Sequence, residues 1–154
     1  MQVYLDTNVF IAAFERRNSQ SDRLADLIAV ASRDGRKHFA TSELALSELL
    51  VAPMRQDLED LVEYYVRLFA SNDWLEVRPV DTDVLVFAAR LRATRQGLKL
   101  PDAIHLATAS MAGCDIFMTE DQGLHAAIAG FSDFVRPLMP DEPTLNALIE
   151  SLAP

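Results

Sequence analysis

Hydrophobic positions along the chain form two patterns, short continuous runs and longer stripes at helical spacing. The short runs are rich in β-branched and aromatic residues, which favour buried strands. Val3-Tyr4-Leu5 and Ile116-Phe117-Met118-Thr119 are the clearest examples. Strands are predicted over 3–5, 38–41, 74–80 and 116–119, with a candidate fifth strand at Phe134-Val135-Arg136.

The stripes predict helices between these strands. From residue 20 to 32, apolar side chains recur at Leu24, Leu27, Ile28 and Ala31, on one face of a helix. Helices are predicted over 9–14, 20–32, 42–53, 55–70, 83–95, 101–112 and 141–152. Strands separated by helices indicate an α/β fold with a central, mainly parallel sheet of four to five strands.

The length of 154 residues suits one compact domain. The stretch from Pro137 to Pro143 is the candidate hinge, and the segment beyond it is too short to be a domain. We therefore predict a main domain over residues 1–136. A helical C-terminal extension over 137–154 is expected to pack on that domain.

Composition limits the classes of function. Half of the residues are hydrophobic, and the net charge of −9 argues against a broad basic face for nucleic acid. Cys114 is the only cysteine, which excludes an intrachain disulfide and a cysteine metal cage. No signal peptide and no apolar run of about 20 residues is visible. A cytoplasmic protein without a membrane segment is expected.

Three aspartates are predicted to meet at one edge of the sheet. Asp6 follows the first strand, and Asp121 lies just beyond the fourth. Asp102 begins the helix that leads into the fourth strand, so it belongs to the same, carboxyl edge. Asp115 begins that strand and therefore belongs to the opposite edge.

Glu48 is the fourth candidate. It lies inside the helix predicted from Ser42, among apolar neighbours, and burying its charge there requires a compensating cation or donor. Glu43 is the competing glutamate, but it sits in the first helical turn, where the helix dipole favours a carboxylate in any case. We prefer Glu48.

Structural roles compete with the functional ones. Asp6 and Asp102 suit helix N-caps, and Asp121 suits a turn, so each alone is weak and the convergence carries the prediction. Asp81 is interpreted as an N-cap. His105, one turn after Asp102, is interpreted as a packing or supporting residue rather than a metal ligand.

The carboxylates of a cluster repel one another unless a cation compensates their negative charge. All-oxygen ligands favour Mg²⁺ or Mn²⁺ as that cation. Such a metal activates water for phosphodiester hydrolysis and presents positive charge to the phosphate backbone. Basic side chains around the cleft are candidates for holding flanking phosphates, namely Arg16, Arg17, Arg95 and Lys99.

Four segments in order resemble the PIN-domain ribonucleases, especially the VapC-type toxins of toxin–antitoxin pairs. These segments are Val3-Tyr4-Leu5-Asp6-Thr7-Asn8, Thr41–Leu50 with Ser47-Glu48-Leu49, Leu100–Ala109 and Phe117-Met118-Thr119-Glu120-Asp121. The resemblance covers about residues 1–136 and implies a three-layer α/β/α fold. It also implies an RNA endonuclease with Asp6, Glu48, Asp102 and Asp121 as catalytic metal ligands, supported by Asn8 and Thr119.

The same resemblance implies a homodimer and a cognate antitoxin, with the helices at 20–32 and 55–70 as the expected antitoxin contact. Glu120 remains a competitor of Asp121. The alternative function is a PIN-like binding or regulatory module that acts in a DNA-bound complex without significant catalysis. A phosphatase with a nucleophilic Asp6 is weaker, because Asp-Thr-Asn lacks a second carboxylate two residues on.

Overall fold

A computed structural model of the chain describes residues 1–33, 35–130 and 135–152. Its centre is a parallel sheet of five strands in the order β3-β2-β1-β4-β5. The strands are β1 (Val3–Leu5), β2 (Phe39–Ser42), β3 (Leu75–Arg78), β4 (Ile116–Met118) and β5 (Arg136–Leu138). The mainly parallel sheet predicted from the sequence is confirmed, with β1 at its centre.

Helices connect the strands, as parallel neighbours require. In the described part of the chain they are α1 (Thr7–Phe14), α2 (Ser19–Ala31), α3 (Glu43–Arg55), α4 (Glu59–Ala70), α5 (Thr82–Thr94), α6 (Leu100–Met111), α7 (Gln122–Ala129) and α8 (Glu142–Leu152). None of them combines the length and the apolar character that a membrane span requires.

The helices cover both faces of the sheet and give three layers. Successive residues of a strand point to opposite faces, so Val3 and Leu5 belong to one hydrophobic core and Tyr4 to the other. The first core is built with α1–α4 and α8, and the second with α5, α6 and α7. The predicted α/β/α arrangement is confirmed.

Strand boundaries differ from the prediction mainly at the edges of the sheet. The structure starts β5 at Arg136, the last residue of the predicted fifth strand, whereas Phe134 lies outside the described residues. Pro137 falls within β5, where its missing N–H is tolerated because β5 is an edge strand.

Several helices depart from the prediction, and α4, for example, begins at Glu59 rather than at residue 55. The short helix α7 was not predicted, because its eight residues include Gly123 and present little periodic pattern. Helix α3 continues two residues past Pro53 to Arg55. A proline removes only its own N–H from the helix, and Gln56 N still donates to the carbonyl oxygen of Ala52 at 3.1 Å.

The C-terminal segment completes the first core. Leu145 and Leu148 of α8 are buried in the same hydrophobic cluster as Leu24 and Leu27 of α2. Helix α8 thus covers the apolar stripe of α2 that the sequence offered as an antitoxin contact. The division of the chain at residue 136 stays a prediction.

Candidate active site

The carboxyl edge of the sheet brings three of the predicted aspartates together. Strands β1 and β4 are adjacent and parallel, so the residues that follow them, Asp6 and Asp121, lie at the same edge. Asp102 lies in the first turn of α6, whose last turn leads towards β4 at the opposite edge. The predicted placement of these residues at one edge therefore matches the topology.

Asp6 is buried and firmly held. Only 7% of its surface is exposed, and it is the N-cap residue of α1. Its carboxylate accepts hydrogen bonds from Thr7 N (2.8 Å), Asn8 Nδ2 (2.8 Å) and Thr119 Oγ1 (2.6 Å). Three donors offset the desolvation of a charged Asp6, as burial of a carboxylate demands.

Asn8 and Thr119 join α1 to the loop after β4. Asn8 Nδ2 donates to Thr119 Oγ1 at 3.0 Å, and the Asn8 side-chain oxygen accepts from Glu120 N at 3.0 Å. Thr119 Oγ1 also accepts from Asp121 N at 3.1 Å. These contacts fix the positions of Asp6 and Asp121 relative to each other. The supporting roles that the resemblance implies for Asn8 and Thr119 stay a prediction.

Asp102 carries the clearest electrostatic signature of the cluster. Burial raises the pKa of its carboxyl, and the charges of Asp6 and Asp121 raise it further, whereas the charge of Lys99 opposes the shift. The N-cap position of α6 is occupied by Lys99, so helix capping does not account for Asp102. The three aspartates therefore repel one another across a common space.

Asp121 has both a structural and an electrostatic place. Its Oδ1 accepts from Leu124 N at 3.0 Å and caps α7. A Cβ atom at Gly123 would lie 3.2 Å from the same oxygen, so glycine leaves the carboxylate room. The structural role of Asp121 is therefore that of an N-cap, where the sequence suggested a turn, and this role coexists with the repulsion that Asp121 exerts on Asp102.

Glu48 is linked to the aspartates by two residues that follow them in the chain. Its carboxylate accepts from Thr7 Oγ1, on the residue after Asp6, and contacts His105 Nε2 at 2.8 Å, one turn after Asp102. Burial raises the pKa of Glu48, but the hydrogen bonds from His105 and Thr7 outweigh it and lower the pKa overall. Glu48 therefore stays charged at neutral pH.

A buried chain of hydrogen bonds runs from the sheet to Glu48. His105 is 2% exposed, and its Nδ1 lies 2.7 Å from the hydroxyl of Tyr4 on β1. Burial raises the pKa of Tyr4, which keeps its proton. A neutral imidazole satisfies both contacts when Tyr4 donates to Nδ1 and Nε2–H donates to Glu48. His105 thus joins Tyr4 to Glu48, and its supporting role at the site stays a prediction.

The competing carboxylates have other partners. Glu120 accepts from Arg16 (2.8 Å) and Gln20 (2.9 Å), away from Asp102. Asp115 accepts from Gln2 N at 2.9 Å at the amino end of β4. Two further acidic residues bind backbone amides elsewhere, Glu43 that of Val80 and Asp81 that of Val84.

The donor set suits a hard divalent cation by its chemistry. Repelling carboxylates gain stability from a cation between them, and oxygen ligands favour Mg²⁺ or Mn²⁺. Among the described residues, no three histidine, cysteine or acidic side chains already stand as a ready group of metal ligands.

Sequence reasoning missed two residues of this site. Thr7 holds Glu48 beside Asp6, and Tyr4 orients His105. Tyr4 sits in a strand, and its alternation with Val3 and Leu5 could have indicated that it faces the helix carrying Asp102. Nothing in the sequence signals that Thr7 reaches a residue 41 positions away.

Comparisons with known proteins agree with this architecture. Residues 3–129 match the PIN domain family. No curated protein matches the sequence significantly. The fold is similar to that of a toxin–antitoxin complex from Klebsiella pneumoniae, with a TM-score of 0.64 and 23% identity over 92% of this chain and 99% of that one.

Two further structures are similar. VapBC2 from Rickettsia felis, bound to a DNA fragment from its promoter, has a TM-score of 0.62 and 16% identity over 90% of this chain and 98% of that one. DNA-bound VapBC from Salmonella typhimurium has a TM-score of 0.58 and 19% identity over 92% and 99%. At these identities the structures support the fold. The family match spans most of the sequence, and the chain belongs to the PIN domain family, whose members are generally nucleases.

Proposed function

We propose that this protein is a metal-dependent endoribonuclease and the toxin component of a toxin–antitoxin pair. The observation that carries the proposal is the convergence of Asp6, Asp102 and Asp121 at one edge of the sheet, where burial raises the pKa of Asp102 and the charges of Asp6 and Asp121 raise it further. A PIN domain has this edge available for ligands, because it lies beyond the carboxyl ends of parallel strands.

Asp6, Glu48, Asp102 and Asp121 are the residues that would hold Mg²⁺ or Mn²⁺. When bound, such a cation supplies an activated water and neutralises charge on the phosphoryl group. Asp6 contributes a carboxylate whose position is fixed by Asn8 and Thr119. Glu48 contributes a charge that its hydrogen bonds preserve.

The remaining residues of the site act by orientation. Thr7 and His105 set the direction of the Glu48 carboxylate, and Thr119 sets that of Asp6. A carboxylate that is already fixed loses little conformational freedom when it binds a cation or a water. Orienting the reacting groups therefore costs less entropy. The substrate is an RNA strand, as the family resemblance implies, and its phosphodiester bond is hydrolysed at this edge.

An antitoxin is the proposed protein partner. The similar structures are toxin–antitoxin complexes, which supports a partner of this kind. Val66 of α4 and Leu58, the residue before that helix, have exposed apolar side chains, and with Met54 of α3 they border a surface groove. Of the two helices expected to contact the antitoxin, α4 therefore offers a free apolar surface. A homodimer and a cytoplasmic location complete the proposal.

A second candidate function is a binding or regulatory module in a DNA-bound complex. Two similar structures were determined with DNA, and the described acidic residues do not already form a ready group of metal ligands. In this case the cluster at Asp102 would bind no cation and cleave no RNA. Measuring Mg²⁺ binding separates the two candidates.

The decisive experiment is RNA cleavage by the purified chain. A mixed RNA pool is incubated with the wild type in Mg²⁺ or Mn²⁺ and in EDTA, beside Asp6→Asn and Asp102→Asn. The matched control is Asp115→Asn, which removes the same charge from the opposite edge. We expect metal-dependent cleavage by the wild type and the control, and none above background by the two site variants.

The outcomes point in different directions. Cleavage that persists in both site variants, or in EDTA, contradicts the proposed site. A folded wild type that neither cleaves the pool nor binds Mg²⁺ by calorimetry favours the regulatory module. A wild type that binds Mg²⁺ only while Asp102 is intact, but leaves the pool uncut, supports the metal site with a narrow RNA target.

A further inference from the structure

The segment between β4 and α7 is short, and it carries a proposed metal ligand at its end. It consists of Thr119, Glu120 and Asp121. The sequence leaves its middle residue, Glu120, as a competitor of Asp121 for the role of ligand. The contacts of Glu120 in the structure favour a different role.

Two donors from a distant part of the chain hold the side chain of Glu120. Its Oε1 accepts from Arg16 Nη1 at 2.8 Å and from Gln20 Nε2 at 2.9 Å. These donors lie 104 and 100 positions earlier in the sequence, on either side of the turn between α1 and α2. The contact with Arg16 is charge-assisted and therefore stronger than one between neutral groups.

The donors are themselves oriented by further hydrogen bonds. Arg16 Nη1 also donates to Gln20 Oε1 at 3.3 Å, and Gln20 Nε2 donates to the carbonyl oxygen of Pro140, ahead of α8, at 2.9 Å. The side chains of Arg16, Gln20 and Glu120 thus form a closed set, which we name the Glu120 network. An isolated surface ion pair contributes little, whereas a network of mutually oriented groups holds a defined geometry.

The backbone of Glu120 is anchored as well. Its N–H donates to Asn8 Oδ1 of α1 at 3.0 Å. The next N–H, that of Asp121, donates to Thr119 Oγ1 at 3.1 Å. The short segment is therefore attached to α1 through its backbone and to the turn between α1 and α2 through the Glu120 side chain. These attachments determine where the Asp121 carboxylate lies.

Glu120 and Asp102 differ in how their charge is compensated. Asp102 accepts no hydrogen bond from the described residues, and burial and the charges of Asp6 and Asp121 raise its pKa. Glu120 has the guanidinium of Arg16 at 2.8 Å. A carboxylate that is already paired with a cation gains less from a metal ion than one without such a partner.

We propose that Glu120 is a positioning residue for Asp121 and not itself a metal ligand. Through Arg16 and Gln20 it holds the segment after β4, so that the Asp121 carboxylate stays where its charge acts on Asp102. This inference rests on the proposed metal site. It adds how the fold fixes the position of one of its four carboxylates.

The test measures Mn²⁺ binding by calorimetry, in the absence of RNA. Glu120→Ala removes both contacts of the side chain and is expected to weaken Mn²⁺ binding about tenfold, as loss of a residue behind a metal ligand does. Glu120→Gln makes the same change in charge but keeps an oxygen that accepts from Arg16 and Gln20. It should therefore stay within about threefold of the wild type.

A second variant tests the network without any change in charge. Gln20→Ala removes one donor to Glu120 and is expected to weaken Mn²⁺ binding several-fold. In the Glu120→Ala background the same substitution should have little further effect, because both variants break the same contact. Urea unfolding establishes that each variant folds, and Gln20→Ala decides the comparison if Glu120→Ala does not fold.

The matched control is Glu76→Ala, on β3. Glu76 pairs with Arg78 at the same 2.8 Å, and the two side chains are 34% and 41% exposed, compared with 21% and 41% for Glu120 and Arg16. Its other contact is with Gln2, the residue before β1. Loss of this pair is expected to change Mn²⁺ binding less than about twofold.

Each outcome decides the proposal. Equal Mn²⁺ binding by Glu120→Ala, Gln20→Ala and Glu76→Ala overturns it. Loss of Mn²⁺ binding in Glu120→Gln as complete as in Asp121→Asn also overturns it, because Glu120 would then be a ligand. In both cases the wild type binds Mn²⁺ and the proposed metal site stands. A folded wild type that binds no Mn²⁺ refutes the metal site, and the positioning role with it.

Discussion

Hydrogen bonding distinguishes the two central aspartates of the site. Asp6 accepts three hydrogen bonds from Thr7, Asn8 and Thr119. Asp102 accepts none from the described residues, and burial and the charges of Asp6 and Asp121 raise its pKa. The fold therefore stabilises one carboxylate with donors and leaves the other unfavourably placed, which is the arrangement a cation would relieve.

The first prediction concerns the stability cost of Asp102. Its folded pKa lies above the unfolded value, so the folded state binds more protons and loses stability as pH rises through that window. At neutral pH and without metal, Asp102→Asn should raise the melting temperature by about 1–3 °C. Thermal unfolding in EDTA measures it, with Asp115→Asn as the unchanged control. A lower melting temperature would show that Asp102 stabilises the fold.

The second prediction concerns the buried hydrogen-bond chain. Tyr4→Phe removes the donor to His105 Nδ1 and leaves a buried polar atom unpaired. The expected loss is about 1–3 kcal/mol in the free energy of unfolding, measured in urea. Tyr64→Phe is the matched control, because Tyr64 is 38% exposed and its hydroxyl has no hydrogen-bond partner among the described residues. Equal losses in the free energy of unfolding for Tyr4→Phe and Tyr64→Phe would contradict the hydrogen bond between Tyr4 and His105.

At the level of elements, helix ends place the charges of the site. Asp6 caps α1 and Asp121 caps α7, so both carboxylates lie between the end of a strand, β1 or β4, and the start of the next helix. Capping and cation binding use the same atom type, an anionic oxygen, and they do not exclude each other. A carboxylate at an N-cap has a defined direction, which suits a site that needs fixed ligands.

The third prediction separates the two roles of Asp121. Asn is as good an N-cap as Asp, so Asp121→Asn should leave the free energy of unfolding within about 0.5 kcal/mol while abolishing metal-dependent RNA cleavage. Asp121→Ala should lose the activity and also about 1 kcal/mol of stability. Urea unfolding and the cleavage assay together check both. Full activity in Asp121→Asn would leave capping as the only role of Asp121.

The fourth prediction concerns the attachment of α8. Leu148 is 7% exposed and packs in the core that includes the apolar face of α2. Leu148→Ala should cost about 2–5 kcal/mol, the usual range for a buried leucine. Leu152 is only partly buried, and Leu152→Ala should cost clearly less. Equal costs in urea unfolding would mean that α8 does not pack on α2 through Leu148.

For the whole molecule, the charge balance connects stability with the metal. A net charge of −9 and a cluster of aspartates at one edge both disfavour RNA binding in the absence of a cation. A cation at the cluster would relieve the repulsion around Asp102 and attract a phosphate at the same time.

The fifth prediction concerns that coupling. A ligand that binds only the folded state stabilises it, by about 2.7 kcal/mol at one hundred times its dissociation constant. Mg²⁺ at constant ionic strength should therefore raise the melting temperature of the wild type and have little effect on Asp102→Asn. Ca²⁺-free buffers and a matched NaCl series serve as controls. An equal response of both proteins would place Mg²⁺ elsewhere.

The hydrophobic pattern alone predicted most of the strands and helices and the edge at which the aspartates lie. Alternating strand and helix patterns dictate a parallel sheet, and parallel strands end at one edge, which places Asp6 and Asp121 together. The pattern did not reveal α7, because eight residues with one glycine carry too little periodicity.

Tertiary packing alone set how the side chains meet. The contacts of Glu48 with Thr7 and His105, and of His105 with Tyr4, join residues that lie 41 to 101 positions apart. Packing also placed α8 over α2, because the leucines of both helices are buried together. Such contacts depend on distant segments of the chain, and local hydrophobic periodicity contains no information about them.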